Sequence, residues 1–180
     1  MEDFRVHATT DPYAKADGPG QILIYAPALQ DFPKGLATYM IQLPIGNLNQ
    51  STARHIASIA DRSSKESFCG VFALDPFTQW KEFLSQIRAA GFRGVCNYPS
   101  LPVFGPEEKI ALVASGFSFE SELEVLVGFA KDGIDVAAIC PSQDDFVLAR
   151  AALRHTSAKI VLAEVSPRLN KSDVNSRLLT

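Results

Sequence analysis

The sequence predicts an α/β protein built on a parallel sheet, and three observations carry that expectation. Short apolar runs recur along the 180 residues, helical periodicity appears between them, and polar residues stand where the runs stop. An apolar run without in-and-out alternation suits a parallel strand buried on both faces, and parallel neighbours need a crossover connection, usually a helix. Composition and periodicity leave two arrangements open, a doubly wound open sheet and part of a (β/α)8 barrel.

The elements follow in order. Residues 1–20 are expected to be atypical or poorly ordered, and QILIY at Gln21–Tyr25 is the first clear strand. After a loop rich in Pro, Gly and Asn, residues 51–62 place Ala53, Ile56, Ala57 and Ala60 at helical spacing. Residues 68–74 form an apolar strand that stops at Asp75 and Pro76, a pair suited to capping and starting a helix. Trp80, Phe83, Leu84 and Ile87 then stripe one helix face, Gly91 closes it, and residues 94–96 form the next strand before Asn97, Tyr98 and Pro99. Residues 107–114 suggest a short helix, and residues 120–131 a stronger one with Leu123, Leu126, Val127 and Ala130 on one side. Val136–Cys140 is a strand, Ser142 caps a helix running to about His155, and residues 159–165 (KIVLAEV) are the last strand. The expected organisation is one domain over 21–166 with a polar tail over 167–180.

Composition excludes several functions. Hydrophobic residues make up 47% of the chain, ample for a core, while a net charge of -3 with no basic cluster argues against nucleic acid and anionic membranes as partners. No apolar stretch approaches the ~20 residues of a membrane span, and residues 1–20 lack the pattern of a signal peptide. Cys69, Cys96 and Cys140 lie in or beside expected strands, as reduced core thiols do, so a cytoplasmic location is expected. No glycine fingerprint or phosphate loop of the nucleotide-binding types follows a strand. His7, His55 and His155 show no metal-site or triad spacing.

The segments GVFALDPF, GFRGVCNYPS, GFSFESELEV and, more weakly, QLPIGNLN resemble consecutive landmarks of the TIM-barrel signal-transduction family, also called phosphoenolpyruvate hydrolase-like. The resemblance runs from about residue 21 to 165 and implies an incomplete TIM barrel with five to six recognisable strands. By position, the family's Asp-Pro-Phe falls on Asp75, Pro76 and Phe77, its Asn-aromatic-Pro on Asn97, Tyr98 and Pro99, and its acidic pair on Glu122 and Glu124. Its Leu-Pro-x-Gly falls on Leu43, Pro44, Ile45 and Gly46, with Asn49 further on.

The sequence also departs from the family. An opening strand is not evident in residues 1–20, Ala26, Pro27 and Ala28 replace a polar turn, and Glu164 stands where a histidine is expected. A full barrel needs roughly 200 residues or more, so the sheet is expected to be short of units. Its open edge would need a homo-oligomer or partner chain to cover it.

The candidate catalytic residues are Asp75, Asn97 and Glu122, with Asp75 also a candidate ligand for Mg2+. Asp75 and Asn97 end strands, where barrel active sites are assembled, and each also suits a bland role as helix cap or Asx turn. Glu122 and Glu124 are two apart on a helix, so at most one is expected to reach a site. Tyr25, Gly46, Asn47, Tyr98 and Glu164 complete the set as candidate substrate-binding residues. Two functions follow. One is an enzyme of the phosphoenolpyruvate/pyruvate type, a hydrolase or lyase acting on a small carboxylated or phosphorylated molecule. The other is a non-catalytic barrel that binds or regulates a partner chain.

Overall fold

A computed structural model of the chain describes residues 5–18, 20–31, 47–61, 63, 65–100, 110, 112–140 and 142–162. Six strands form one sheet, β1 (Arg5–Thr9), β2 (Gln21–Tyr25), β3 (Phe68–Val71), β4 (Gly94–Asn97), β5 (Val136–Cys140) and β6 (Lys159–Leu162). They lie side by side in chain order and every neighbouring pair is parallel. The sheet curls into a half-barrel, with β1 and β6 at its two edges among the described residues. A short 3-10 helix (Pro27–Asp31) follows β2, and α1 (Leu48–Ser58), α2 (Trp80–Ala89), α3 (Phe119–Lys131) and α4 (Gln143–Ala152) lie on the crossovers.

The six strands fall within the expected five to six, and the one not legible from apolar runs is the first. β1 pairs with β2 in register from Arg5 opposite Gln21 to Thr9 opposite Tyr25, so a strand does open the sheet within residues 1–20. Its sequence, RVHAT, has only Val6 and Ala8 as apolar residues, which is why an apolar-run criterion passes over it. The helix expected to begin at Asp75 instead begins at Trp80, because Asp75 to Thr78 form a turn. Most of the short helix expected over 107–114, and the end of the last strand beyond 162, lie outside the described residues.

Strand alternation sorts the core into two layers. Ile22, Ile24 and Ala26 of β2 and the segment after it join Phe68, Cys96, Ala137, Ile139 and Val161 on the inner face. Tyr25, Cys69, Val71, Val95, Val136, Ala138 and Cys140 point the other way, into the layer covered by the helices. In that outer layer Trp80 of α2 packs on Phe129 of α3, with ring centroids 5.0 Å apart.

Local signals set the helix ends. The side chains of Asn47, Ser118 and Ser142 accept hydrogen bonds from the backbone N–H groups of Gln50, Ser121 and Asp145, capping α1, α3 and α4. After α2, Gly91 takes the left-handed conformation at φ 84°, and Phe92 N–H reaches back to the Ile87 carbonyl, as in a Schellman ending.

Candidate functional site

Two polar clusters form beyond the carboxyl ends of β3 and β4, and an asparagine side chain lies at the centre of each. At β4, Asn97 is wholly buried and its amide is fully used. Its Oδ1 accepts the Ile139 N–H at 2.7 Å, while Nδ2 donates to the Ile139 carbonyl at 3.1 Å and to Glu122 Oε2 at 2.8 Å. Ser100 Oγ lies 3.3 Å from the same Nδ2 and donates to Glu122 Oε2 at 2.5 Å.

Glu122 comes to this cluster from the first turn of α3 and is wholly buried, whereas Glu124 is exposed. The two-residue spacing therefore sends the pair to different surroundings, as helical geometry requires. A hydroxyl and an amide converge on one carboxylate oxygen, the arrangement of strong, charge-assisted hydrogen bonds. Ser100, like Thr78 in the second cluster, was not among the sequence candidates. For Ser100 the signal was its position three residues after Asn97, across Tyr98 and Pro99.

The second cluster surrounds Asp75, which is 9% exposed. Its Oδ1 accepts the Phe77 N–H at 2.9 Å and its Oδ2 accepts the Thr78 hydroxyl at 2.6 Å, an Asx turn with Pro76 inside it. Thr78 Oγ1 in turn accepts from Asn49 Nδ2 at 2.8 Å. Asn49, from α1, also pairs with both backbone groups of Phe72, each at 2.9 Å. A cleft of about 370 Å3 opens beside this cluster between α1 and α2, lined by Asn47, Asn49, Phe77, Thr78 and Gln79 among others. Phe77 stands on the turn with 84% of its surface exposed.

The remaining candidates are spread more widely. Tyr98 lies against the inner core, and burial pushes its phenol up to about 12. Tyr25 faces the helix layer, stacked on Phe92 at 4.9 Å, and burial there, with smaller contributions from Cys69, Tyr13 and Asp11, raises its phenol to about 12. The Asn47 side chain caps α1 at the edge of the cleft. Gly46 and Glu164 lie outside the described residues. The structure thus brings Asn97 and Glu122 into contact and holds Asp75 in a separate network.

Among the described residues no group of three or more His, Cys, Asp or Glu side chains converges, and both oxygens of Asp75 already accept hydrogen bonds. Nor is any helix among them long and apolar enough to cross a membrane. Chemically, the clusters offer two carboxylates, a hydroxyl held at 2.5 Å from one of them, and amides that fix both in place.

These features define a (β/α) half-barrel with polar clusters at the carboxyl ends of its strands, the end at which barrel enzymes assemble their sites. The chain belongs to the phosphoenolpyruvate hydrolase-like family, which it matches over residues 12–165. It is 28% identical over 114 residues to the uncharacterized protein y4oT of Sinorhizobium fredii (strain NBRC 101917 / NGR234), a match covering 63% of this chain and 56% of that protein. Over 98 residues it is 29% identical to the ToMV resistance protein Tm-1(GCR237) and to the ToMV susceptible protein tm-1(GCR26), both of Solanum lycopersicum. Those matches cover 53% of this chain and 12% of each tomato protein, so the chain corresponds to only part of the relatives it resembles.

Proposed function

We propose that the chain is an enzyme of this family, a hydrolase or lyase that binds a small carboxylated or phosphorylated molecule at the carboxyl ends of β3 and β4. The observation that carries the reading is the wholly buried Glu122, held by Asn97 and Ser100 at a strand end. A carboxylate is costly to bury and is kept in place here by two directed donors. In this reading Glu122 and Asp75 are the acid and base candidates. Asn97, whose amide is committed to Glu122 and Ile139, acts as a positioning residue. The half-buried Ser100 hydroxyl donates to Glu122 Oε2 and helps to fix that carboxylate. Mg2+ enters this reading only together with a bound ligand, since the ion usually keeps several waters and takes one or two protein carboxylates.

Thermal unfolding with a panel of small carboxylic and phosphorylated acids, each with and without Mg2+, tests the reading. A ligand at a hundred times its Kd adds about 2.7 kcal/mol, which raises Tm by roughly 5 to 10 °C in a chain of this size. Asp75→Asn and Glu122→Gln are expected to remove that rise while leaving the far-UV spectrum unchanged. A Tm indifferent to the whole panel would count against the enzyme reading.

A second reading has its own support in the two strand edges, β1 and β6, that no other described strand pairs. A sheet edge that stays unpaired invites association. A non-catalytic member that assembles with itself or another chain would sediment as an oligomer or a complex and would be insensitive to Asp75→Asn. Sedimentation as a monomer would remove this reading.

A further inference from the structure

At the amino-terminal ends of the strands, opposite both polar clusters, the half-barrel contains a further cavity of about 150 Å3. Ile22 and Phe68 of the inner core form its floor, Gln21 and Glu66 stand on its wall, and Arg93 and Lys159 bring two positive charges to it. One oxygen of each of these two side chains accepts a loop N–H. Glu66 Oε2 accepts the Ala16 N–H at 3.1 Å and Gln21 Oε1 accepts the Asp17 N–H at 2.6 Å, which ties the preceding loop to the cavity wall.

The two cations are in a different condition. Neither the Arg93 guanidinium nor the Lys159 ammonium makes a hydrogen bond or an ion pair with any described residue. Arg93 is exposed, but its guanidinium lies over the Phe68 ring at 5.4 Å from the centroid, and Phe68 is only 2% exposed. That contact uses none of the guanidinium N–H groups in a hydrogen bond and removes part of the ordering cost of binding. Lys159 opens β6, opposite Ala137 of β5, so its backbone is fixed by the sheet.

We propose that this cavity is an anion site that takes a phosphate group, with the Arg93 fork and the Lys159 ammonium supplying the charge. The geometry of guanidinium N–H groups suits phosphate oxygens, and an ammonium adds a point charge to them. Two cations against Glu66 leave a net positive cavity. A cavity of this volume has room for a phosphate group with its oxygens directed at the two cations. The site lies at the opposite end of the strands from the candidate catalytic clusters and is independent of the function proposed for them.

Calorimetric titration with inorganic phosphate and with glycerol phosphate, at constant ionic strength and with acetate as control, tests the assignment. Saturable binding of phosphate but not acetate is expected, with affinity reduced about tenfold in Arg93→Gln and in Lys159→Gln, since each loses one charged hydrogen bond. Binding of glycerol phosphate alone would show that the phosphate arrives on a small molecule, and supports the site. Absence of binding for both phosphates, or binding unchanged in both variants, overturns it. Lys159 lies at a strand start and is half-exposed, so Lys159→Gln tests the idea even if Arg93→Gln disturbs Phe68. Neither variant touches Asp75 or Glu122, so loss of this site leaves the response at the carboxyl ends of the strands intact.

Discussion

Gly94, Gly128 and Lys65 show how differently a residue type reads once its neighbours are known. A Cβ on Gly94, the first residue of β4, would lie 2.0 Å from the Asp135 carbonyl oxygen, because the chain entering β5 passes directly over it. Gly128, inside α3, has nothing within 4 Å of its missing Cβ. Gly94→Ala is therefore expected to destabilise by about 2 kcal/mol or more through forced backbone movement. Gly128→Ala should stabilise by about 0.5 to 1 kcal/mol through helix propensity and reduced freedom of the unfolded chain. Urea midpoints of the two variants check the pair, and a shift of the same sign in both would defeat the argument. Lys65 makes the same point for charge. Nothing near it in sequence marks it as buried, yet its ammonium donates to the carbonyls of Asp61, Ser63 and Ala90 and lies over the Phe92 and Tyr13 rings.

Among the elements, the ends of β3 and β4 are finished by side chains rather than by further strand pairing. β3 ends at Val71, and Asn49 from α1 pairs with the N–H and C=O of Phe72 just beyond it. β4 and β5 are in register through Cys96 opposite Ala137, and the Asn97 side chain then pairs with the N–H and C=O of Ile139. Both asparagines satisfy backbone groups that would otherwise be buried without partners. Asn49→Leu and Asn97→Leu should each cost about 2 kcal/mol or more, since each strands a donor and an acceptor. Denaturant unfolding measures the loss, and a cost under about 0.5 kcal/mol for Asn97→Leu would contradict its role in the ladder. The helix boundaries were legible where a capping residue acts alone, as Ser142 does. Asp75 and Pro76 misled because the same two residue types also make an Asx turn, and the choice was settled by Thr78 and Asn49.

Across the whole molecule, the two core layers bury groups that must remain protonated. Tyr25 in the outer layer and Tyr98 against the inner one are both raised to about 12 from 10.0 by burial. Burial likewise raises Cys140 to about 12 from 9.0 and pushes Cys69 and Cys96 up as well. Each is an acid whose folded pKa lies above its unfolded value, so above pH 9 the native state holds protons that the unfolded chain gives up. Stability is then present in full below about pH 9 and falls as pH rises towards 12. The expected result is a urea midpoint level from pH 7 to 9 and clearly lower by pH 11. A midpoint unchanged at pH 11 would mean that these groups are not buried as the fold places them.

The sequence by itself determined the alternation of strands and helices, five of the six strands, the parallel sheet and the family. Those properties depend on local apolar runs, caps and motif order, all of which lie within a few residues of one another. β1 escaped because an edge strand with few apolar residues carries little local signal. Tertiary structure alone decided that Glu122 rather than Glu124 meets Asn97, that Ser100 joins them, and that Asp75 is bound into a turn with Thr78 and Asn49. It also brought Arg93 and Lys159, 66 positions apart in the chain, to one cavity. The reason is that these contacts follow from the curvature of the sheet and the seating of helices on it, which no stretch of sequence encodes alone.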